Sequence, residues 1–165
     1  METVYIETSV VSLLVANPSR DVIIAGQQQA TRDWWRLRRD SFACITSDET
    51  RAEAARGDAE QARQRLAVLT GLPSLPITPE VENLAAEFLR TGALPATARS
   101  DAIHLAVATI VRGDYLLTWN CRHLANAQIL RRLEREAKGF GWELPTVCTP
   151  LELMGDLPDE TESDS

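Results

Sequence analysis

Apolar residues along the chain fall into short runs that alternate with longer stretches of helical spacing. The runs that read as strands are Val4–Ile6, FACIT (Phe42–Thr46), LPIT (Leu75–Thr78), YLLTW (Tyr115–Trp119) and a weak TVC (Thr146–Cys148). Between them the period changes from two to about 3.6, the signature of helices. Residues 19–40 predict a long polar helix with Ile23, Ala30, Trp34 and Leu37 on one side. Residues 48–70 predict two helices broken near Gly57–Asp58. The clearest helix has Thr78 as N-cap, Pro79 in the first turn, an apolar face of Val81, Leu84, Ala85, Phe88 and Leu89, and Gly92 as its stop. Residues 99–112 are almost wholly apolar, which predicts a buried helix, and 126–138 carry a stripe of Ile129, Leu130, Leu133 and Ala137.

Strands that alternate with helices predict a mostly parallel sheet covered on both faces. The fold class expected is therefore α/β, three layers, in one domain over residues 1–155. Residues 156–165 follow as an acidic tail whose composition predicts disorder. In open sheets of this class ligands bind beyond the carboxyl ends of the strands, so the residues that follow each strand belong together. They are Glu7, Thr8 and Ser9 after the first; Ser47, Asp48 and Glu49 after the second, with Glu53 a turn later; and Trp119 and Asn120 after YLLT. The buried helix opens RSDAIHLAVA, with Asp101 in its first turn and His104 at i+3 on the same face.

Composition narrows the chemistry. The 165 residues carry a net charge of −7, but the tail from Asp156 holds five acids and no base. Without it 19 acids face 17 bases, a near balance that neither requires nor forbids a polyanionic partner. Sixteen of the bases are Arg and the only lysine is Lys138, so phosphate chemistry that depends on lysine has almost nothing to use. Arg binds phosphate through a planar two-pronged contact instead. Cys44, Cys121 and Cys148 form neither a disulfide framework nor a metal clip. No apolar run is long enough for a membrane span and no signal-peptide pattern is present, so the expected location is cytoplasmic.

Carboxylates gathered at one sheet edge repel, and the site relaxes by taking up a proton or a cation. Oxygen ligands without a Cys or His cluster suit Mg²⁺ or Mn²⁺, which act on phosphodiesters by polarising a phosphoryl oxygen and acidifying a bound water.

The segments YIETSV, TSDETRAEAARG, SDAIHLAVA and YLLTWNCRHLAN, in this order, resemble PIN-domain proteins, above all the VapC-type toxin ribonucleases of bacterial toxin–antitoxin pairs. The resemblance runs from Thr3 to about Met154. It implies a three-layer fold and a Mg²⁺- or Mn²⁺-dependent endonuclease for single-stranded RNA. It also implies a small antitoxin partner and a homodimer. Glu7 matches the first acid, Glu53 the glutamate after the second strand and Asp101 the acid opening the buried helix; these three are the expected metal ligands. Asn120 stands where a fourth acid is usual and joins them as an expected catalytic residue. Thr8, Ser9, Thr118 and Arg122 are the expected substrate contacts. The departures are Glu7, where the family usually has Asp, and the neutral Asn120. They keep a rival open, a catalytically weak module that binds RNA or protein. A receiver-like phosphoryl-transfer domain is set aside, because it needs an Asp nucleophile after the first strand and a nearby lysine.

Overall fold

The computed structural model describes residues 1–156, so the acidic tail lies almost wholly outside the described residues. The elements follow in the order β1 (Thr3–Ile6), α1 (Thr8–Val15), α2 (Val22–Leu37), β2 (Ala43–Ser47), α3 (Asp48–Ala54), α4 (Ala59–Leu69), β3 (Ser74–Leu75), α5 (Pro79–Arg90), α6 (Arg99–Ile110), β4 (Tyr115–Leu117), α7 (Ala127–Gly139) and β5 (Thr146–Cys148). The five strands form one parallel sheet in the order β3-β2-β1-β4-β5. The chain thus winds outward from β1 to β3, then returns to the other side of β1. That reversal places a crevice beyond the carboxyl ends of β1 and β4.

Alternation along β1 divides the core. Tyr5 faces the layer of α5, α6 and α7, packed with Phe88, Leu105, Leu116 and Leu133. Val4 and Ile6 face the other layer, with Val10 and Val11 of α1, Trp34 of α2, Ala54 of α3 and Leu69 of α4. Burial of each such side chain contributes about 1.5–3 kcal/mol. The three-layer α/β/α architecture expected from the alternating pattern is the one observed.

Details differ where local pattern is a weak guide. The helix α1 begins directly after β1 with no turn signal to announce it. The residue that permits this is Glu7, whose side chain accepts the backbone N–H of Ser9 and caps the helix. In α2 the buried positions include Ala30, Thr31 and Trp34, while Ile23 and Leu37 are 72% and 50% exposed. The expected stripe therefore holds only in the middle of α2, at Ala30 and Trp34. Strand β3 is the two residues Ser74–Leu75 and overlaps the expected LPIT only at Leu75. The helix α6 is buried from Ala102 to Thr109, as its composition requires.

After α6 the chain turns through Arg112, which adopts φ 54°, a left-handed conformation that favours glycine. The turn is fixed by Arg112 N–H donating to Thr109 O at 3.1 Å and Gly113 N–H donating to Ala108 O at 2.9 Å. A left-handed L-residue costs about 1–2 kcal/mol; a glycine removes that cost, but its greater unfolded-state entropy offsets part of the saving. Arg112→Gly is therefore expected to raise stability by about 0.5–1 kcal/mol, seen as a higher urea midpoint with an unchanged slope.

Candidate metal centre

At the crevice the backbone of β1 hands its register to β4, with Glu7 N–H donating to Leu117 O at 3.1 Å. Glu7 is 5% exposed, and an ionised carboxylate at that depth needs several donors. Its Oε2 accepts from Ser9 N–H at 2.9 Å, from the Ser9 hydroxyl and from the Thr118 hydroxyl at 2.8 Å. The three donors converge on one oxygen, which leaves Oε1 available to a ligand. Ser9 Oγ also accepts Trp119 N–H at 2.8 Å, and Thr118 Oγ1 accepts Asn120 N–H at 3.0 Å. Thr8, Ser9 and Thr118 therefore order the carboxylates and the loop after β4.

Glu53 reaches the same place from the last turn of α3. Its Oε1 accepts from the Thr8 hydroxyl at 2.8 Å and is bonded to Nε2 of His104. His104 lies on α6, wholly buried, and its other nitrogen, Nδ1, is 2.7 Å from the Tyr5 hydroxyl. Burial alone pulls the imidazole toward its neutral form. The Tyr5 oxygen and the carboxylates of Glu53 and Glu7 outweigh burial and raise His104 well above its ordinary value. Burial pulls Glu53 upward, yet the hydrogen bond and charge of His104, with the Thr8 hydroxyl, prevail and hold its carboxyl below the usual carboxylate range.

One ligand atom from each of Glu7, Glu53 and His104 lies within 4.8 Å of the other two, so this trio could hold a metal ion. Both nitrogens of His104 are already hydrogen-bonded, to Tyr5 and to Glu53, so the coordinating atoms on offer are carboxylate oxygens. Two carboxylates fit Mg²⁺ or Mn²⁺, which keep several waters, better than zinc. Burial raises the thiols of Cys44 to about 11 and Cys148 to about 12, so neither of these two offers a thiolate.

Asp101 sits one turn before His104 on α6 and makes a second cluster. Its Oδ1 accepts from the Asn120 amide at 3.0 Å, and its Oδ2 is 2.9 Å from Nδ1 of His123. Asn120 Oδ1 in turn accepts His123 N–H at 3.0 Å. The crevice thus brings Glu7 next to Glu53, with Thr8, Ser9 and Thr118 around them. Asp101 and Asn120 are paired with each other, outside the trio. Arg122 is exposed in the same loop, with only its backbone carbonyl bonded, to the Asn126 amide at 3.2 Å.

Sequence reasoning passed over Tyr5 and gave His104 no task beyond its place on the helix. The signal for His104 was its i+3 spacing from Asp101; nothing local marks Tyr5. Two surface cavities, of about 450 and 780 Å³, open elsewhere, the first at the amino ends of β4 and β5. The carboxylates line neither.

No family model matches the chain, and no curated protein matches it. Solved structures do. A chain of VapBC2 from Rickettsia felis, bound to a DNA fragment from its promoter, superposes with TM-score 0.57 at 12% identity, over 89% of this chain and 98% of that one. A chain of FitAB bound to an IR36 DNA fragment superposes with TM-score 0.54 at 16% identity, over 95% and 99%. The fold is that of PIN domains. Among the described residues no helix is long and apolar enough to cross a membrane.

The pair of Glu53 and His104 ties stability to pH. A lowered carboxyl contributes stability that is present above its unfolded value of 4.5 and is lost as pH falls through the folded value. A raised imidazole contributes stability that is fully present below 6.5 and is lost as pH rises through its folded value. The difference in urea midpoint between the parent and His104→Gln should accordingly be greatest near pH 5–6 and shrink on both the acid and the alkaline side.

Proposed function

We propose that this protein is a Mg²⁺- or Mn²⁺-dependent endoribonuclease that hydrolyses single-stranded RNA, the toxin of a cytoplasmic type II toxin–antitoxin pair. The observation that carries the reading is the meeting of Glu7 and Glu53 at the carboxyl ends of β1 and β2, on a PIN fold, with one oxygen of Glu7 left available. Glu7 and Glu53 would hold the ion, and Asp101 would complete the acidic cluster from the first turn of α6. When bound, the ion would polarise a phosphoryl oxygen and acidify a water for in-line attack.

The chain's own residues do the rest. Ser9 and Thr118 hold the Glu7 carboxylate in place. Thr8 and His104 do the same for Glu53. Asn120 and His123 brace Asp101, and Arg122 is placed to contact a phosphate at the rim through its two-pronged guanidinium. The similar structures are of VapBC2 and FitAB, each bound to a DNA fragment. In line with the resemblance to toxin–antitoxin ribonucleases, this chain would pair with a small antitoxin and with a second copy of itself. A short reading frame directly upstream, encoding a small basic or DNA-binding protein, is the matching genetic expectation, and light scattering at micromolar concentration should report a dimer.

One observation favours a second reading. Both oxygens of Asp101 are occupied by neighbours and the fourth position is a neutral amide. A catalytically weak module that binds RNA or a partner would look like this. Calorimetry followed by a cleavage assay separates the two: Mn²⁺ binding with no RNA hydrolysis selects the weak module.

If the nuclease reading is right, Glu7→Gln and Asp101→Asn each lower Mn²⁺-dependent cleavage of single-stranded RNA by at least about 10²-fold. Far-UV circular dichroism should be unchanged, because each substitution removes one charge from a crowded site. Cleavage at the parent rate by either variant would take that residue out of the mechanism.

A further inference from the structure

Tyr5 is a core residue of β1 with no exposure, and its hydroxyl is hydrogen-bonded at 2.6 Å to Ser47 Oγ, at 2.7 Å to His104 Nδ1 and at 3.2 Å to Thr50 Oγ1. A buried phenol needs partners, and three neighbours would satisfy that need with no further purpose. The chain of bonds does not stop there, however. His104 passes it through Nε2 to Glu53 Oε1, so an unbroken line of hydrogen bonds runs from beneath the sheet to a carboxylate of the metal centre. We infer that Tyr5 is a positioning residue, which fixes the ring of His104 and through it the carboxylate of Glu53 for a divalent cation.

The geometry explains why such a device is needed here. Glu53 is in the last turn of a seven-residue helix, with its side chain 26% exposed, and Glu has three rotatable bonds. Left to itself it would sample many rotamers, and the cost of ordering it would be taken from metal affinity. The line of bonds closes a loop through the fold. Ser47 caps α3 by accepting Thr50 N–H, and Tyr5 holds both of their hydroxyls. His104 brings in α6 from the opposite layer, with its ring edge-on to Tyr5 at 5.8 Å. The start of α3 and its last turn are thus referenced to the same phenol oxygen. Groups behind the ligands of a metal typically change affinity by about 10–100-fold when removed.

This role rests on the metal-centre reading above, and the test separates the two. Mn²⁺ binding is measured by calorimetry on the full chain for the parent, Tyr5→Phe, His104→Gln, His104→Leu and the double variant Tyr5→Phe/His104→Leu. Thr109→Val, which removes a buried hydroxyl at the far end of α6, is the control for lost stability alone. Tyr5→Phe is expected to weaken Mn²⁺ binding about 10-fold or more, and Thr109→Val to leave it unchanged. Gln retains a donor toward Glu53, so His104→Gln should bind more tightly than His104→Leu. If Tyr5 acts through His104, its substitution adds little once His104 is Leu. Should a His104 variant not fold, the comparison of Tyr5→Phe with Thr109→Val decides. Parent-like affinity in Tyr5→Phe, or full additivity in the double variant, overturns the positioning role while the metal centre stands. A parent that binds no Mn²⁺ overturns both.

Discussion

A carboxylate that is 5% exposed needs hydrogen-bond donors close by, and Glu7 sets that condition for the whole crevice. Meeting it draws in the first turn of α1, through Ser9, and the residue after β4, through Thr118. The same contacts join the neighbouring strands at the point where the winding of the sheet reverses. Glu7 is also the cap that starts α1. One side chain therefore terminates a strand, begins a helix and fixes the loop that carries Asn120.

Around Glu7 the fold holds two further acids differently. Glu53 is joined to the core through His104 and Tyr5, whereas Asp101 is braced from the surface loop by Asn120 and His123. Glu7 and Glu53 lie close enough to repel. The imidazole of His104 is set beside them with both nitrogens bonded, and the Tyr5 oxygen and the neighbouring carboxylates shift it toward its charged form against the pull of burial.

Glu7, Glu53 and Asp101 line neither of the two surface cavities, and Glu53 and Asp101 keep partial exposure, at 26% and 17%. Under the proposed function, these partly buried acids and Arg122 at the rim would meet a phosphodiester chain at the sheet edge.

The sequence by itself determined the architecture. Alternating periods, the N-cap at Thr78, the apolar run of α6 and the acids after the strands are local features, and local features survive without tertiary information. They gathered Glu7, Glu53 and Asp101, among other polar residues, at one edge of a parallel sheet; the family resemblance is what singled those three out. Tertiary structure alone decided how those acids pair. Tyr5 and His104 are 99 residues apart and Glu7 and Thr118 are 111 apart. No local rule links such positions, since a hydrogen bond between them depends on how two layers pack against the sheet. The ends of α2 were illegible for a related reason: apolar spacing marks a helix face, but only the packing of other elements against it decides how much of that face is covered. The split between a Glu7–Glu53–His104 centre and a separate Asp101–Asn120–His123 cluster follows from side-chain directions at the end of α3 and the start of α6, which spacing along the chain does not encode.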